Sequence, residues 1–218
     1  RREIRTLSEK ERNVYFGAIK KLQLGPRPNT YDRFVDLHVK FANSTHGFPE
    51  FLPWHRAYIL DFEKALREID ASIALPYWDW SYDSQAPELS PVWSPDWYGG
   101  NGRSSDNCVI DGQWANWEPF YPVPHCLTRE WNNNTNIISA YHPPEAIRYF
   151  QENTQLYDDF RLYLEVPAHV LVHLSIGGEM ATLFSPNDPL FWLHHAFIDK
   201  VWADWQELSP RNSEAYDG

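Results

Sequence analysis

Apolar residues recur at helical spacing in several stretches of the chain, most clearly over residues 186–205. There, intervals of four, three, four and three residues place five side chains on one helix face. These five are Phe191, His195, Ile198, Trp202 and Trp205. Asp188 followed by Pro189 suits a helix start, because the carboxylate can cap free amides and proline is pre-set for the first turn. The pattern predicts a helix with His195 in the core.

Three further helices are predicted in the first third of the chain. The run Ser8-Glu-Lys-Glu11 has the form of a capping box and begins a helix that reaches about Leu24. A second helix ends near Asn43 and a third opens at Pro53, with irregular backbone between them. Spacings of three and four residues form the two inner faces, and each contains a histidine. The inner residues are Tyr31, Phe34, His38 and Phe41, then His55, Ile59, Phe62, Leu66 and Ile69.

The second half of the chain alternates between irregular and helical patterns. Residues 81–144 are rich in proline, glycine, asparagine and tryptophan without a period, which predicts a long irregular excursion. A helical turn is expected at residues 145–150, and residues 157–164 lead through Pro167 into a helix that carries His169 and His173. Gly177 and Gly178 end it with a left-handed cap. We therefore expect a mainly α fold, one domain over residues 1–218, built on an antiparallel four-helix bundle.

Composition narrows the class of partner. Aromatic residues make up 16% of the 218 residues, and the net charge is −11 with an isoelectric point near 5.2. Nucleic acid and anionic membrane surfaces both need clustered lysine and arginine, so neither is expected as a partner. No run approaches the roughly 20 apolar residues that span a bilayer. Oligomeric state is left open.

Cysteine usage and sequence triplets bear on the compartment. Cys108 and Cys126 are too far apart for a Cys-x-x-Cys metal clip and are expected to form a structural disulfide. Asn43 and Asn133 each begin a glycosylation triplet. No signal peptide is visible, and the chain stops at Gly218 without a C-terminal lid, as expected of a processed core. A secreted or vesicular protein is favoured, with the cytoplasm as the alternative.

The histidines are the candidate chemistry. A lone histidine on an apolar helix face is usually a hydrogen-bonded core residue. Here six of the nine histidines fall in two sets of three, as two adjacent metal ions with imidazole ligands require. His125 and His142 lie in the excursion on no periodic face and are interpreted as surface or hydrogen-bonding residues. The two sets are His38, His46 and His55, then His169, His173 and His195.

The ligand types select among metals. The His169-Val-Leu-Val-His173 pair lacks the glutamate of a zinc hydrolase, and no carboxylate accompanies either set as a bridged di-iron centre would need. All-imidazole ligation suits copper best. Three protein ligands per ion leave coordination positions open for chemistry or for binding a gas.

Four motifs give the chain a family resemblance. It resembles the type 3 dicopper proteins, which comprise tyrosinases, catechol oxidases and haemocyanins, from about Ser8 to Trp205. The motifs are Phe51-Leu-Pro-Trp-His-Arg56, Leu75-Pro-Tyr-Trp-Asp-Trp80, Ile176-Gly-Gly178 and Ser185-Pro-Asn-Asp-Pro-Leu-Phe-Trp-Leu-His-His-Ala-Phe-Ile-Asp199. The resemblance implies one copper on each set of three histidines. Periodicity alone would also allow His194 to point inward, so the choice of His195 comes from the resemblance.

The resemblance also implies an activity. Two copper ions with O₂ as co-substrate would oxidise a small o-diphenol to an o-quinone without an organic cofactor, and prior hydroxylation of a monophenol would be tyrosinase activity proper. The alternatives are a haemocyanin-like reversible O₂ carrier and a metal-free structural relative. The sequence does not name the phenol.

Departures from the family pattern concern substrate handling. Val170 stands where many strong monophenolases have an asparagine that, with a nearby glutamate, orders a water to deprotonate the phenol. Glu165 resembles that glutamate but lies closer to His169 than usual, and a solvated surface carboxylate is the alternative. Thr182 occupies the gate position that is aromatic in plant enzymes, and with Leu174 it implies an open site. Phe191 is expected to pack against an imidazole.

Overall fold

A computed structural model describes residues 1–132 and 135–216 of the chain. Within them the structure is helical, with isolated β-bridges but no strand, and the predicted mainly α class is confirmed. A π-helix, Leu164–His169, joins two of the helices. The α-helices are α1 (Glu9–Leu22), α2 (Thr30–Thr45), α3 (Phe51–Ile69), α4 (Pro144–Asn153), α5 (Tyr157–Tyr163), α6 (Val170–Ile176), α7 (Leu190–Glu207) and α8 (Pro210–Glu214).

Local capping explains where the first two helices start. The predicted capping box is present, since Ser8 accepts a hydrogen bond from the Glu11 amide and the Glu11 carboxylate accepts one from the Ser8 amide. Asn29 and Asp32 form the same reciprocal pair at the start of α2. Each pair satisfies two amides that have no partner inside the helix.

Helices α2, α3, α6 and α7 form the bundle around the histidines. Trp192 of α7 stacks on Phe62 of α3, with ring centroids 3.6 Å apart and planes 3° apart. Its indole N–H donates to the hydroxyl of Tyr31 in α2 at 3.1 Å. One fully buried tryptophan therefore joins three helices, and truncating it to alanine would cost about 3–5 kcal/mol.

Several predicted boundaries move by a turn or less. Helix α2 continues to Thr45 and α3 already begins at Phe51, so the loop between them is shorter than predicted. The expected short turn after the excursion is the ten-residue helix α4. Phe41, expected on the inner face of α2, is instead 45% exposed. It packs along Trp54 with centroids 6.1 Å apart, at the edge of the bundle rather than inside it.

The end of α6 differs from the predicted left-handed cap. Gly177 has φ 67° and ψ −162°, a region that glycine alone adopts freely and that is not the left-handed helical one. A Cβ there would lie 2.3 Å from the Glu130 carbonyl oxygen, and one on Gly178 would lie 2.3 Å from the Thr128 carbonyl oxygen. The two glycines are needed because the excursion passes directly against this turn.

The excursion, residues 81–144, is irregular as predicted and is closed by a Cys108–Cys126 disulfide, which confirms that pairing. Residues 127–132 lie between residues 107–109 and 175–179 and exchange backbone hydrogen bonds with both. The Arg129 guanidinium is fully buried, pairs with both carboxylate oxygens of Asp188 and donates to three carbonyl groups of the excursion. The excursion is thus a fixed layer behind α6 and α7.

Asp188 also accepts a hydrogen bond from the Leu190 amide at 3.0 Å, so the predicted capping of α7 is present although the helix proper begins at Leu190. Among the described residues no helix is both long enough and apolar enough to cross a membrane. The second predicted glycosylation asparagine, Asn133, lies outside the described residues, and Asn43 is exposed in the last turn of α2.

Candidate dinuclear metal site

Seven histidines converge between α2, α3, α6 and α7. In the first set, the imidazole nitrogens of His38, His46 and His55 lie within 4.8 Å of one another. His38 is in the middle of α2, His46 directly follows its last residue, and His55 is in the second turn of α3. The short loop after α2 thus brings the start of α3 back beside the middle of α2. His38 and His55, 17 positions apart, can therefore bind the same ion.

The second set is built at the other side of the bundle. Its members are His169 at the end of the π-helix, His173 in α6, and the adjacent His194 and His195 in α7, again with ring nitrogens within 4.8 Å of one another. All four are buried, whereas His46 of the first set is only half-buried.

The two sets face each other across a few ångströms. The rings of His55 and His195 are nearly parallel, with centroids 4.5 Å apart. His46 and His169 lie 6.4 Å apart, and Phe51 contacts His55 at 4.7 Å and His169 at 4.9 Å. Phe191 packs against His195 at 4.1 Å and His38 at 5.2 Å. Two phenyl rings therefore hold the sets together and limit how far each imidazole can turn.

Backbone carbonyl groups fix the orientation of five imidazoles. A carbonyl oxygen can only accept, so each of these histidines carries its proton on Nδ1 and presents the Nε2 lone pair to the centre. The Nδ1 to oxygen distances lie between 2.6 and 3.1 Å. The pairs are His38 with Leu183, His46 with Ala42, His55 with Phe51, His169 with Glu165 and His173 with Met180.

The π-helix is part of this arrangement. Pro167 lies inside it and has no N–H to continue an α-helical ladder. The Glu165 carbonyl accepts from the amide of Val170, five residues on, and also from Nδ1 of His169. The widened turn, a feature frequent at functional sites, thereby holds the His169 ring against the carbonyl group four residues earlier. Pro167 is visible in the sequence, but it does not by itself predict a π-helix.

Burial keeps the imidazoles neutral. Loss of hydration lowers the pKa of His38 to about 3 and that of His173 to about 4. It likewise depresses the pKa of His55, His169 and His195 well below the usual value of a histidine. A neutral imidazole whose other nitrogen is protonated is the form that binds a metal ion.

His194 and His195 differ in their surroundings. Nδ1 of His194 accepts the indole N–H of Trp80 at 3.1 Å, so its proton must be on Nε2. Nε2 of His195 lies 3.3 Å from Nε2 of His173, whose proton is on Nδ1. Two nitrogen ligands about 2.0 Å from a shared ion at a tetrahedral angle lie about 3.3 Å apart. The geometry favours His195 over His194 as the third member, the choice that periodicity left open.

An open cavity of about 420 Å³ gives access to both sets, and His38, His46, His169 and His173 line it. Val170 and Leu174 of α6 form one wall, and residues 180–183 form another. Thr182 therefore lies at the rim, and no phenylalanine, tyrosine or tryptophan lines the cavity within the described residues.

The segment that forms the second wall also contacts both sets. The Met180 carbonyl accepts from His173 at 2.6 Å, and the Leu183 carbonyl accepts from His38 at 2.8 Å. The buried Glu179 carboxylate anchors this segment, since it pairs with His125 at 2.6 Å and accepts from Asn187 at 2.9 Å. Sequence reasoning missed Glu179 altogether. His125 was interpreted as a hydrogen-bonding residue, which agrees with this contact.

Glu165 does not line the cavity. It is 3% exposed, so the solvated surface alternative is wrong. One carboxylate oxygen accepts from the Gly47 amide at 2.6 Å, and the other pairs with Arg161 at 2.9 Å. Glu165 thus ties the loop after His46 to the π-helix.

The donor set fits copper. Nε2 of His38, His55 and His169, the nitrogens that present lone pairs, are buried without a hydrogen-bond partner in the described part of the chain, as are Nε2 of His194 and Nδ1 of His195. Buried polar atoms of this kind are costly unless something binds them. Neutral nitrogen donors in threes, with no carboxylate among them, suit copper and leave positions open for O₂.

Comparison with known proteins gives the same picture. The sequence profile "Common central domain of tyrosinase" matches residues 28–208. The tyrosinase of Streptomyces glaucescens is 40% identical over 228 aligned residues, which cover 94% of this chain and 81% of that protein. The tyrosinase of Streptomyces antibioticus is 39% identical over 94% of this chain and 82% of its own length.

Solved structures agree in fold. A mutant polyphenol oxidase from Thermothelomyces thermophila superposes with a TM-score of 0.82 at 29% identity, covering 98% of this chain and 72% of that one. A functional unit of octopus haemocyanin superposes at 0.67 with 20% identity, over 98% of this chain and 54% of the other, which bears on the fold alone. The chain belongs to the tyrosinase family and is a phenol-oxidising oxidoreductase that uses two copper ions and O₂.

Proposed function

We propose that the protein is a catechol oxidase, which converts o-diphenols to o-quinones and hydroxylates monophenols weakly. Two diphenols and one O₂ give two quinones and two waters, so no other reductant is needed. The observation that carries this proposal is the pair of facing histidine sets that open onto one accessible cavity.

Six histidines are proposed to hold the two ions, and bound copper supplies the exchange of two electrons between diphenol and O₂. The proposed ligands are His38, His46, His55, His169, His173 and His195. The chain's own contribution is to hold these nitrogens in place through their Nδ1 hydrogen bonds. The cavity walls direct a flat ring toward the centre, with Val170 and Leu174 on one side.

Weak monophenolase activity is proposed because neither Val170 nor Glu165 is placed to hold a deprotonating water. Val170 has no hydrogen-bonding side chain, although it lines the cavity. The two oxygens of Glu165 already accept from Gly47 and Arg161. A catechol depends less on such a water than a monophenol does. It already carries both oxygens of the quinone, and its two hydroxyl groups can bind the metal centre.

The second candidate function is a reversible O₂ carrier, which the superposition on octopus haemocyanin favours at the level of fold. The cavity argues for the enzyme, because Leu174 and Thr182 at its rim are exposed and leave room for a substrate. An O₂ carrier needs no such access for a ring.

The test is simultaneous measurement of O₂ uptake and quinone absorbance by the copper-loaded protein with 4-methylcatechol and with 4-methylphenol. We expect steady turnover of the catechol, two quinones per O₂, and a much slower reaction of the phenol with a lag. O₂ binding that reverses on lowering the O₂ pressure, without quinone formation, would instead identify a carrier.

We further propose that residues 1–218 form a single domain and that the protein follows an oxidising, secretory route. The disulfide and the exposed Asn43 support the route. Mass analysis of the protein from its source would test it, since a reduced Cys108–Cys126 pair would contradict an oxidising compartment.

A further inference from the structure

We infer that the substrates are uncharged phenols with an apolar para substituent, and that amino acid phenols such as tyrosine and its diphenol are poor substrates. This inference rests on the proposed function and deepens it. It follows from what the cavity offers to the part of the substrate that points away from the metal centre.

The cavity wall has no charged partner to offer. Apart from the histidines, its lining residues in the described part of the chain are aliphatic, methionine or hydroxyl side chains, without Asp, Glu, Lys or Arg. A carboxylate or ammonium group that enters such a space loses hydration and gains no ion pair. An alkyl group loses nothing and contacts Val170, Leu174 and Leu183.

Charged residues next to the wall are already paired. The Glu179 carboxylate is enclosed by His125, Asn187 and the Thr128 hydroxyl. Glu165 is paired with Arg161, which also pairs with Asp158. Both carboxylates are buried, and neither has its charge directed into the cavity.

The apolar surface continues outward from the centre. Leu174 is 60% exposed on α6 and Leu183 is 50% exposed on the second wall. Val170 precedes Leu174 by four residues in α6, so the two lie on neighbouring turns of the same helix face. A para substituent that leaves the cavity at its rim therefore meets leucine and valine rather than water alone.

The charge of the whole chain adds a second discrimination. A net charge of −11 repels anionic phenols during encounter and attracts cationic ones, and salt screens both effects. Among charged catechols the carboxylate should therefore be the poorest substrate. The expected order is neutral alkyl catechol, then the amine, then the zwitterion, then the carboxylate.

The first test compares kcat/KM for matched catechols at low ionic strength: 4-ethylcatechol, dopamine, 3,4-dihydroxyphenylalanine and 3,4-dihydroxyphenylpropionate. We expect 4-ethylcatechol to exceed the propionate at least about tenfold, with the gap narrowing in salt. Lengthening the alkyl group from methyl to propyl should raise kcat/KM by up to about fourfold per methylene. Equal or better turnover of dihydroxyphenylalanine would overturn the inference while leaving the proposed function intact. Failure of every catechol would overturn both.

A second test introduces a charge at the rim. Leu183→Arg should raise the ratio of propionate to 4-ethylcatechol turnover about tenfold by supplying a cation near the substituent, whereas the neutral, similarly sized Leu183→Gln should not. Leu174→Glu should shift the preference toward dopamine in the same way. Because both positions are half exposed, folding should tolerate the changes. Identical ratios in the Arg and Gln variants would contradict an aliphatic rim that contacts the substituent.

Binding offers a readout that needs no turnover. Saturation-transfer NMR on the copper-free protein should detect 4-ethylphenol more strongly than tyrosine at equal concentration. Stronger contact from tyrosine would contradict the inference, whatever the activity of the copper-loaded enzyme.

Discussion

The two histidine sets are built in different ways. The first spans residues 38–55 and uses one helix, a short loop and the next helix, so most of its geometry is local. The second spans residues 169–195 and depends on a π-helix, on a turn with two glycines and on the excursion packed behind them. The supports of the first set from far along the chain are the Leu183 carbonyl and the Phe191 ring, both at His38, and the Glu165 carboxylate, which accepts from the Gly47 amide.

Burial follows the same division. Every histidine of the second set is buried, and Trp80 donates to His194 behind it. His46 in the first set is half-buried at the cavity. The comparison teaches that the second set should be sensitive to changes far from the metal, while the first should depend mainly on its own helices.

The largest expected effect separates two neighbours in the second set. His195→Gln should remove a metal ligand. Because loss of a residue that only supports a ligand already lowers metal affinity about 10–100-fold, we expect the rate of catechol oxidation to fall at least about 100-fold. Metal analysis should give about one copper per chain.

His194→Gln is the matched control for His195→Gln. The Gln oxygen can still accept the Trp80 N–H, so two coppers should remain bound. A protein that loses copper on changing His194 but keeps it on changing His195 would reverse the assignment of the third ligand.

Glu179→Gln tests whether the second set depends on remote support. Removing the charge breaks the pair with His125 and loosens the turn whose Met180 carbonyl orients His173. Copper affinity should fall about 10–100-fold at one of two sites, and the loss should fall on the second set. Stepwise chelator titration with metal analysis would resolve the two affinities.

Glu145→Gln, at an exposed position of α4, is the control for Glu179→Gln and should leave both affinities unchanged. Equal weakening of both sites by the Glu179 change would show that its segment supports the first set through Leu183 as strongly as the second.

The sequence predicted what depends on periodicity and spacing. Side chains on a helix face repeat every three or four residues, so His38, His55 and His195 could be placed inward without a structure. The capping box at Ser8 could be predicted from the sequence, because its two hydrogen bonds join residues that are three positions apart. The disulfide was likewise predictable, because only two cysteines exist.

What the sequence could not predict depends on contacts between distant segments. Periodicity and spacing do not distinguish His194 from His195, and the contact that separates their surroundings involves Trp80, 114 residues earlier than His194. The buried position of Glu165 follows from Gly47, 118 residues away. The sequence predicts a left-handed cap at the two glycines after α6, whereas the structure requires glycine there because the excursion backbone lies against them. The first set was accordingly easier to derive than the second.

The disulfide offers an intermediate test of the comparison. Replacing both Cys108 and Cys126 by serine should lower the free energy of unfolding by about 3 kcal/mol, as for a loop of this length, and the melting temperature by about 6–12 °C. Because the disulfide directly precedes residues 127–132, which hydrogen-bond to the end of α6 and the turn after it, copper at the second set should become more labile than at the first. Calorimetry and timed chelation measure the two effects, and equal lability at both sites would contradict the role of the excursion.

The smallest expected effect concerns the residue after His169. Val170→Asn places a hydrogen-bonding side chain in the cavity wall, where it can hold a water near the substrate hydroxyl. Because Glu165 is engaged by Gly47 and Arg161, the asparagine must act without it, so the monophenol-to-diphenol rate ratio should rise only about two- to fivefold. Val170→Thr, which keeps the shape with one hydroxyl, is the control. A rise of a hundredfold would mean that Glu165 leaves its partners during the reaction, and that the contact between the loop after His46 and the π-helix is looser than the structure shows.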